Sequence, residues 1–289
     1  MSARGPWRKH ALQWSRVGPP LRPSAEDVTV AREAVDDWRA ATGRDDPSLL
    51  LLGVTPELCA LPTGPRSRVI AVDRSVDMIR SVWPGRLRPR DEALCADWLR
   101  LPLEGKSVDL VLSDGCLSTL PYPRGYAEVC AELLRVLREG GRCVARCFVL
   151  PEKPERPEDV LADLRAGRAG GFHAFKWRLV MALQPDPETG VMLAEVWHAF
   201  HQAEGDFASL ALRCGWPLEA VRTIEAYRGV KARYSFPALG EIRDLFIDAG
   251  FSVGEIFHPA YELGDRCPSV TLETRDRAAR ARRPTSDRA

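Results

Sequence analysis

The chain has 289 residues, of which 45% are hydrophobic and 28% are charged, and its formal net charge is +1. This composition is typical of one large globular domain or two small ones, and no apolar run approaches the roughly 18 residues that cross a bilayer. A net charge close to zero gives no general attraction for nucleic acid. The composition therefore favours a water-soluble protein that binds neither membranes nor nucleic acid.

The two ends of the chain are basic and carry no long apolar segment. The N-terminal sequence MSARGPWRKHALQWSRVG lacks the apolar core of a secretory signal, which favours a cytoplasmic location. Residues 275–289 begin with RDRAARARR and are predicted to form a disordered basic tail. The eight cysteines form no Cys-x-x-Cys pair, so no metal site is predicted and the thiols are expected to be reduced.

The first predicted element is a helix within an N-terminal unit, residues 1–44. Ser24 is a candidate N-cap with Asp27 three residues later, apolar residues then recur at helical spacing, and Gly43 stops the pattern.

Strands alternate with helices through residues 45–150. The apolar runs SLLLL, RVIAV and VDLVLS lead into Gly53, Asp73 and Asp114, and the amphipathic segment GYAEVCAELLRVLREGG precedes a further run, RCVARCFVL. Such alternation predicts βαβ units with a parallel sheet. The fold class is therefore α/β, with a doubly wound sheet.

The pattern changes after Pro151. A connector rich in proline and charge, PEKPERPEDV, is followed by helical segments without a clear strand, so residues 151–232 are predicted to be a helical insertion. In residues 233–274 a helix is predicted from an N-cap at Ser235 to a stop at Gly250, and FSVGEIF and CPSVTLE are predicted to close the sheet.

Candidate ligand-binding residues follow the predicted strands, because open parallel sheets bind ligands beyond their carboxyl ends. Gly53 permits close approach of the backbone, and Asp73, 20 residues later, is placed to accept hydrogen bonds from ribose hydroxyls. Thr55 and Glu57 stand where the pattern Gly-x-Gly-x-x-Gly requires further glycines. A purely structural turn at Gly53 is the alternative.

Further candidates lie after the second, third and fourth strands. Met78 is placed to lie against an adenine face, although a helical core methionine is the alternative. Asp97 and Trp98 follow the third strand, where a carboxylate can accept from an adenine amino group with the indole beside it. Asp114 ends the fourth strand at the mouth of the crevice.

The succession of strand-Gly, AVDRSVDMI, ADWLRLPL, SVDLVLSDG and LRVLREGGRCV resembles the motifs of class I S-adenosylmethionine-dependent methyltransferases. The resemblance covers residues 48–150, and the elements after Tyr234 are similar to the last three of that family. It implies a Rossmann-like methyltransferase fold: a seven-stranded, mostly parallel sheet whose final strand is antiparallel, with a helical insertion after strand five. In its first motif this chain departs from the family, with Leu51 in place of an acid and Thr55 and Glu57 in place of glycines.

The resemblance also implies S-adenosyl-L-methionine as the cofactor and a role for each matching residue. Gly53 and the residues after it would approach the methionine portion, Asp73 would hold the ribose, Met78 and Asp97 would meet the adenine, and Asp114 would face the amino-acid end. The predicted cofactor-binding set is Gly53, Val54, Thr55, Asp73, Arg74, Met78, Asp97, Trp98 and Asp114.

The functional hypothesis is transfer of a methyl group to an oxygen, nitrogen or carbon atom of a small molecule. Such an enzyme works by positioning and by excluding water, and it needs a general base only if the acceptor must lose a proton. No base is assigned; the candidates by chemistry are His173, His198, His201 and His258. The residues predicted to line an acceptor pocket, with simple core packing as the alternative, are Trp14, Phe172, His173, Trp177 and Trp197.

Two other functions stay open at this point. An NAD-dependent oxidoreductase shares the glycine turn and the acid of the second strand, but it should have the missing glycines. A non-catalytic methyltransferase-like domain, which binds cofactor weakly or serves as a partner subunit, would tolerate the altered glycine turn.

Overall fold

The computed structural model describes residues 7–274, so the tail predicted at 275–289 lies outside the described residues. The helices are α1 Trp7–Gln13, α2 Ala25–Thr42, α3 Pro56–Cys59, α4 Val76–Val82, α5 Arg124–Val136, α6 Pro157–Arg165, α7 Phe172–Ala182, α8 Leu193–Ala203, α9 Phe207–Cys214, α10 Leu218–Val221 and α11 Leu239–Ala249. The strands are β1 Ser48–Leu52, β2 Arg68–Asp73, β3 Glu92–Cys95, β4 Val108–Asp114, β5 Leu137–Arg146, β6 Val191–Met192, β7 Arg233–Tyr234, β8 Phe251–Phe257 and β9 Ser269–Thr274. Short 3-10 turns follow α1, β4 and α10 and precede β9.

Seven of these strands form one sheet in the order β3-β2-β1-β4-β5-β9-β8. Strands β1 to β5 pair in parallel, whereas β9 runs antiparallel to both of its neighbours, β5 and β8. The chain winds outward from β1 to β3 and then returns to β4 on the other side of β1. The predicted doubly wound, seven-stranded sheet with an antiparallel last strand is thereby confirmed.

The run of four leucines in β1 is buried on both faces of the sheet. Leu50 and Leu52 pack with α5 and α11, and Leu49 and Leu51 pack with α2 on the opposite face. Each of the four is at most 1% exposed. Since burying one leucine side chain contributes roughly 1.5–3 kcal/mol, this central strand anchors both layers of helices.

The ends of α2 follow the sequence prediction. The Ser24 hydroxyl accepts hydrogen bonds from the backbone of Glu26 and Asp27, and the Asp27 carboxylate accepts from the Ser24 N–H at 2.8 Å. Gly43 ends the helix in the left-handed region with φ +66°. This reciprocal capping fixes where the chain enters the helix that covers one face of the sheet.

The last helix begins later than predicted. Ser235 is not its N-cap, because its N–H donates to the Ser118 carbonyl at 2.8 Å and ties this segment to the turn after β4. The helix starts at Leu239, where the Glu241 carboxylate accepts from the Ala238 N–H at 2.7 Å. A long-range backbone contact therefore overrides a plausible local cap.

The segment 151–232 is mostly helical, as the sequence indicates, with two differences. Helix α6 begins inside the proline-rich connector, at Pro157, where a proline fits the first helical turn. The short strand β6, which was not predicted, pairs antiparallel with β7 and joins the insertion to the chain that follows it. These helices enclose a separate apolar cluster around Phe175, Phe200 and Phe236. No helix within residues 7–274 is both long and apolar enough to span a bilayer.

A buried arginine holds the segment between α4 and β3. Arg88 donates to the Asp91 carboxylate at 2.9 Å, to the Thr63 hydroxyl at 2.7 Å and to the Leu61 carbonyl at 2.7 Å. Asp91 in turn accepts from the Val69 N–H at the start of β2.

We expect Arg88→Met to lower the free energy of unfolding by about 3–5 kcal/mol, because it leaves the buried Asp91 carboxylate without its cation. Urea denaturation followed by circular dichroism measures this change. The matched control is Arg90→Met at a nearby exposed arginine, for which we expect a change within about 0.5 kcal/mol. Equal unfolding midpoints for the two variants would contradict the structural role of Arg88.

Candidate active site

A cavity of about 160 Å³ lies at the carboxyl ends of β1, β2 and β4. Gly53, Asp73 and Asp114 form its floor, where the strand order reverses between β1 and β4. Its remaining walls come from distant parts of the chain, with Trp7 in α1 and Trp177 in α7 among them. Open α/β sheets bind their ligands at this position.

The structure brings most of the predicted cofactor-binding residues together around this cavity. Its walls include Gly53, Val54, Thr55, Asp73, Arg74, Met78, Trp98 and Asp114. Asp97 is not among them: its side chain is exposed and accepts a hydrogen bond from the Leu99 N–H at 3.0 Å. Asp97 is therefore not part of the cavity wall, and its contact with an adenine amino group stays a prediction.

The turn after β1 adopts the backbone shape that the glycine suggests. Gly53 has φ +97°, and its N–H donates to the Val72 carbonyl at 2.8 Å. A methyl group at this position would meet only Cys116 Sγ at 3.8 Å, so the conformation rather than the space requires glycine. The Thr55 hydroxyl donates to Asp114 at 3.3 Å.

Asp73 is a buried carboxylate with unused capacity to accept hydrogen bonds. Among residues 7–274 its one donor is the Ser75 N–H, at 2.7 Å. Burial raises the pKa of Asp73 to about 6, while the Ser75 hydrogen bond and the charge of Arg74 act in the opposite direction. A pair of ligand hydroxyl groups would supply the donors that this carboxylate lacks.

Asp114 belongs to a buried ion pair. Its Oδ1 accepts from Arg146 Nε at 2.6 Å, and both side chains are 4% exposed. Burial raises the pKa of Asp114 against the opposing charge of Arg146, whereas the charge of Asp114 holds the pKa of Arg146 above its usual range despite burial. Arg146 also donates to the Pro20 carbonyl at 2.7 Å and to the Tyr261 hydroxyl at 3.1 Å. These contacts join the floor of the cavity to two other parts of the chain.

The aromatic residues predicted for the acceptor pocket divide into two groups. Trp14 and Trp177 line the cavity. Phe172 is buried in the apolar cluster of the insertion, His173 bonds to the Arg16 carbonyl at 3.0 Å, and Trp197 donates to Glu225 at 3.0 Å. The last three lie outside the cavity wall.

None of the four histidines considered as bases lines the cavity. His173 and His201 have hydrogen-bond partners elsewhere, and His198 and His258 are exposed. The histidine that does line the cavity is His10, which the sequence reasoning omitted. Burial, with the nearby charge of Lys176, lowers the pKa of His10 to about 3 and keeps its ring neutral.

Lys176 is the most informative residue that the sequence reasoning missed. It lines the cavity from α7, is 3% exposed, and donates from Nζ to the Thr223 hydroxyl at 3.0 Å. Its Nζ also lies 5.6 Å from the ring centre of Phe172 and 5.3 Å from that of Tyr227. Burial lowers the pKa of Lys176 to about 7. The sequence feature that could have identified Lys176 is a single lysine in the mostly apolar helix FHAFKWRLVMA. A helix that is apolar on all its faces is buried, and its lysine is then buried with it.

A doubly wound sheet with a cavity at the reversal of strand order and a buried acid after its second strand is typical of α/β proteins that bind nucleotide cofactors. Residues 52–145 match the family model described as a methyltransferase domain. This part of the chain is a methyltransferase domain of the S-adenosylmethionine-dependent kind, and S-adenosylmethionine is the cofactor. No curated protein has a significant match to the sequence.

Three solved structures are among those to which the chain is similar. A protein from Rhodobacter sphaeroides, described as a candidate Zn-dependent alcohol dehydrogenase, is 13% identical, with 93% of this chain and 98% of that chain covered and a TM-score of 0.55. A 1,6-didemethyltoxoflavin-N1-methyltransferase from Burkholderia thailandensis, solved with 1,6-didemethyltoxoflavin and S-adenosylhomocysteine, is 16% identical over 85% and 78% of the two chains, with a TM-score of 0.46. A SAM-dependent methyltransferase from Aquifex aeolicus is 13% identical over 93% and 98%, with a TM-score of 0.45.

We expect Lys176→Met to stabilise the protein most strongly at low pH. Between pH 7 and 10.5 Lys176 binds a proton in the unfolded protein but not in the folded protein. The loss of folding stability caused by burying Lys176 is therefore fully present below pH 7 and disappears as the pH rises toward 10.5. At about 1.4 kcal/mol for each pKa unit, the free energy of unfolding should rise by about 3–5 kcal/mol near pH 6 and by much less near pH 10.

Urea denaturation of both proteins at the two pH values measures this difference. An exposed lysine, Lys231, provides the control variant Lys231→Met, which should leave the free energy of unfolding nearly unchanged at either pH. A gain for Lys176→Met that is the same at both pH values would contradict the shifted pKa.

Proposed function

We propose that this methyltransferase acts on a small-molecule acceptor held in the cavity at the carboxyl ends of β1, β2 and β4. The observation that carries the proposal is the composition of the cavity, whose wall combines polar residues at the strand ends with aromatic side chains from α1, α7 and β7. S-adenosylmethionine supplies an electrophilic methyl group on a sulfonium, and its loss leaves S-adenosylhomocysteine. The chain's own residues must bind, orient and shield the reacting partners.

The residues on the floor of the cavity fit this cofactor chemically. Asp73 combines burial with unused acceptor capacity, which suits the two hydroxyls of a ribose. Met78 and Trp98 offer apolar surfaces on which an adenine can lie, and the Trp98 indole is held by its hydrogen bond to the Val72 carbonyl at 2.6 Å. The positive φ of Gly53 keeps the backbone free of a side chain where the methionine portion would approach.

The acceptor would occupy the aromatic side of the cavity. Trp7 and Trp14 come from the N-terminal unit, and Trp177 and Tyr234 come from the insertion and the chain after it. We assign the described residues before α2 in the N-terminal unit as a lid and residues 151–232 as a cap on the substrate side. Walls drawn from both units favour a ligand small enough to be enclosed, and enclosure excludes the water that would compete with the acceptor.

Isothermal titration calorimetry with S-adenosylmethionine, S-adenosylhomocysteine and NAD tests the cofactor site. We expect heat with the first two compounds and none with NAD. Mass spectrometry of reactions with a panel of metabolites then tests catalysis on small molecules. Binding without any methylated product across the panel would favour a non-catalytic domain, and heat with NAD alone would overturn the proposal.

The affinity for S-adenosylhomocysteine should depend on the ionisation of Asp73. Hydrogen bonds from ribose hydroxyls favour the carboxylate form, so binding should strengthen as the pH rises toward 6 and level off above it, where Asp73 is already ionised. We expect Asp73→Asn to weaken binding by about 1.5–3 kcal/mol at pH 7.5 and to flatten the pH dependence.

Calorimetry between pH 5 and pH 8 measures both effects. Asp77→Asn is the matched control, because Asp77 lies in the first turn of α4 but not in the cavity wall. If Asp73→Asn and Asp77→Asn bind S-adenosylhomocysteine equally well, Asp73 does not hold the cofactor.

A further inference from the structure

Lys176 places a buried amine in the cavity wall with few hydrogen-bond partners. An ammonium group has three N–H donors, yet within residues 7–274 its hydrogen-bond partner is the uncharged Thr223 hydroxyl, at 3.0 Å. No carboxylate in that part of the chain forms an ion pair with Lys176. Thr223 is itself oriented, because its hydroxyl donates to the Ala220 carbonyl at 2.7 Å and presents a lone pair to Nζ. The amine is thus held in one position while its charge lacks a counterpart.

Several aromatic rings line the same cavity as Lys176. Trp7 stacks near Tyr234 with ring centres 6.5 Å apart and planes inclined by 20°, and Trp177 meets Tyr234 edge to face at 5.7 Å. The Tyr227 ring lies 5.3 Å from Nζ. Rings in these arrangements favour a planar aromatic guest, which can stack on one ring and meet the edge of another.

We propose that the methyl acceptor is a planar aromatic molecule with an acidic hydroxyl group, and that Lys176 Nζ takes the proton of that hydroxyl. This inference rests on the proposed function and names the acceptor class for the same cavity. The O–H bond breaks, its electron pair stays on the oxygen, and the lone pair of the neutral amine forms the new N–H bond. The resulting oxyanion is the nucleophile, the ammonium beside it compensates its charge, and the ammonium later returns its proton to water.

The other titratable groups around Lys176 do not compete for this role. His10 and His173 have pKa values lowered by burial to about 3 and about 4, so both are neutral near pH 7. Burial raises the pKa values of Tyr227 and Tyr234 above their usual range, so their hydroxyls stay protonated.

Three further charged groups belong to the surroundings of the site. Asp73 and Arg74 line the cavity at the end of β2, where Asp73 is assigned to the ribose of the cofactor. Lys9 is exposed in α1 and lies close enough to lower the pKa of His10. Proton uptake near pH 7 therefore falls to Lys176.

The experiment uses the full chain saturated with S-adenosylhomocysteine and the probe 7-hydroxycoumarin, whose anion and neutral form absorb at different wavelengths. At pH 7 we expect the wild-type protein to bind the probe as its anion. Lys176→Met should bind it at least about tenfold more weakly and in its neutral form, since a hydrogen bond to a charged group is lost. Lys231→Met, which removes an exposed lysine, should match the wild type. The ether 7-methoxycoumarin has no acidic proton and should not distinguish the three proteins.

Proton counting separates transfer to Lys176 from simple anchoring of an anion. In Lys176→Arg the cation is permanent, so binding of the phenol must release its proton to the buffer. In the wild type at pH 8 the neutral lysine keeps that proton within the complex. Calorimetry in two buffers with different heats of ionisation should therefore detect proton release for Lys176→Arg and much less for the wild type.

Several results would overturn the inference. They are a neutral bound probe in the wild type, equal affinity for Lys176→Met, equal proton release for the wild type and Lys176→Arg, and no binding of the probe to protein that has bound S-adenosylhomocysteine. The last result leaves the proposed function intact, because the cofactor site has already been measured. Failure to bind S-adenosylhomocysteine would count instead against the proposed function.

Discussion

The buried ion pair between Asp114 and Arg146 is the interaction on which the arrangement of the site depends. It joins the carboxyl ends of β4 and β5, and Arg146 extends the connection to the Pro20 carbonyl and the Tyr261 hydroxyl. The floor of the cavity is thereby tied to the segment that carries α1 and to the loop between β8 and β9. Separating Asp114 from Arg146 would leave a buried charge without its partner, which is costly. The ion pair therefore fixes the position of the cavity floor relative to the N-terminal segment.

Burial also acts on two ionisable groups in the cavity wall. Burial raises the pKa of Asp73 to about 6 and lowers that of Lys176 to about 7, since burial disfavours charge of either sign. Both pKa values therefore lie close to neutral pH. A ligand that donates hydrogen bonds to Asp73, or brings a negative charge to Lys176, would stabilise the charged form of that group. Most of the cavity surface is apolar, and the few polar groups in its wall are the ones expected to act on a ligand.

The doubly wound sheet, the caps of α2 and the grouping of Gly53 with Asp73 could be predicted from the sequence, because each depends on local patterns or on the regular geometry of parallel sheets. The antiparallel last strand was predicted only from the resemblance to a known family. The start of α11 could not, because a backbone contact between Ser235 and Ser118 decides it. Lys176 was missed for a related reason. A lysine within a helix is ordinarily exposed, and its burial here requires walls from α1 and from the turn after α10, which no local pattern reveals.

The capping box of α2 has an effect beyond the helix that it starts. One oxygen of Asp27 accepts from the Ser24 N–H, and the other accepts from the Tyr261 hydroxyl at 3.3 Å. Tyr261 in turn contacts Arg146, so the residue that fixes the first turn of α2 also limits where the loop before β9 can lie. A glutamate, the more usual residue at this capping position, is one methylene longer. A glutamate at this position could retain the cap, but its extra methylene would push Tyr261 away. The contact with Tyr261, rather than helix formation, therefore favours aspartate here.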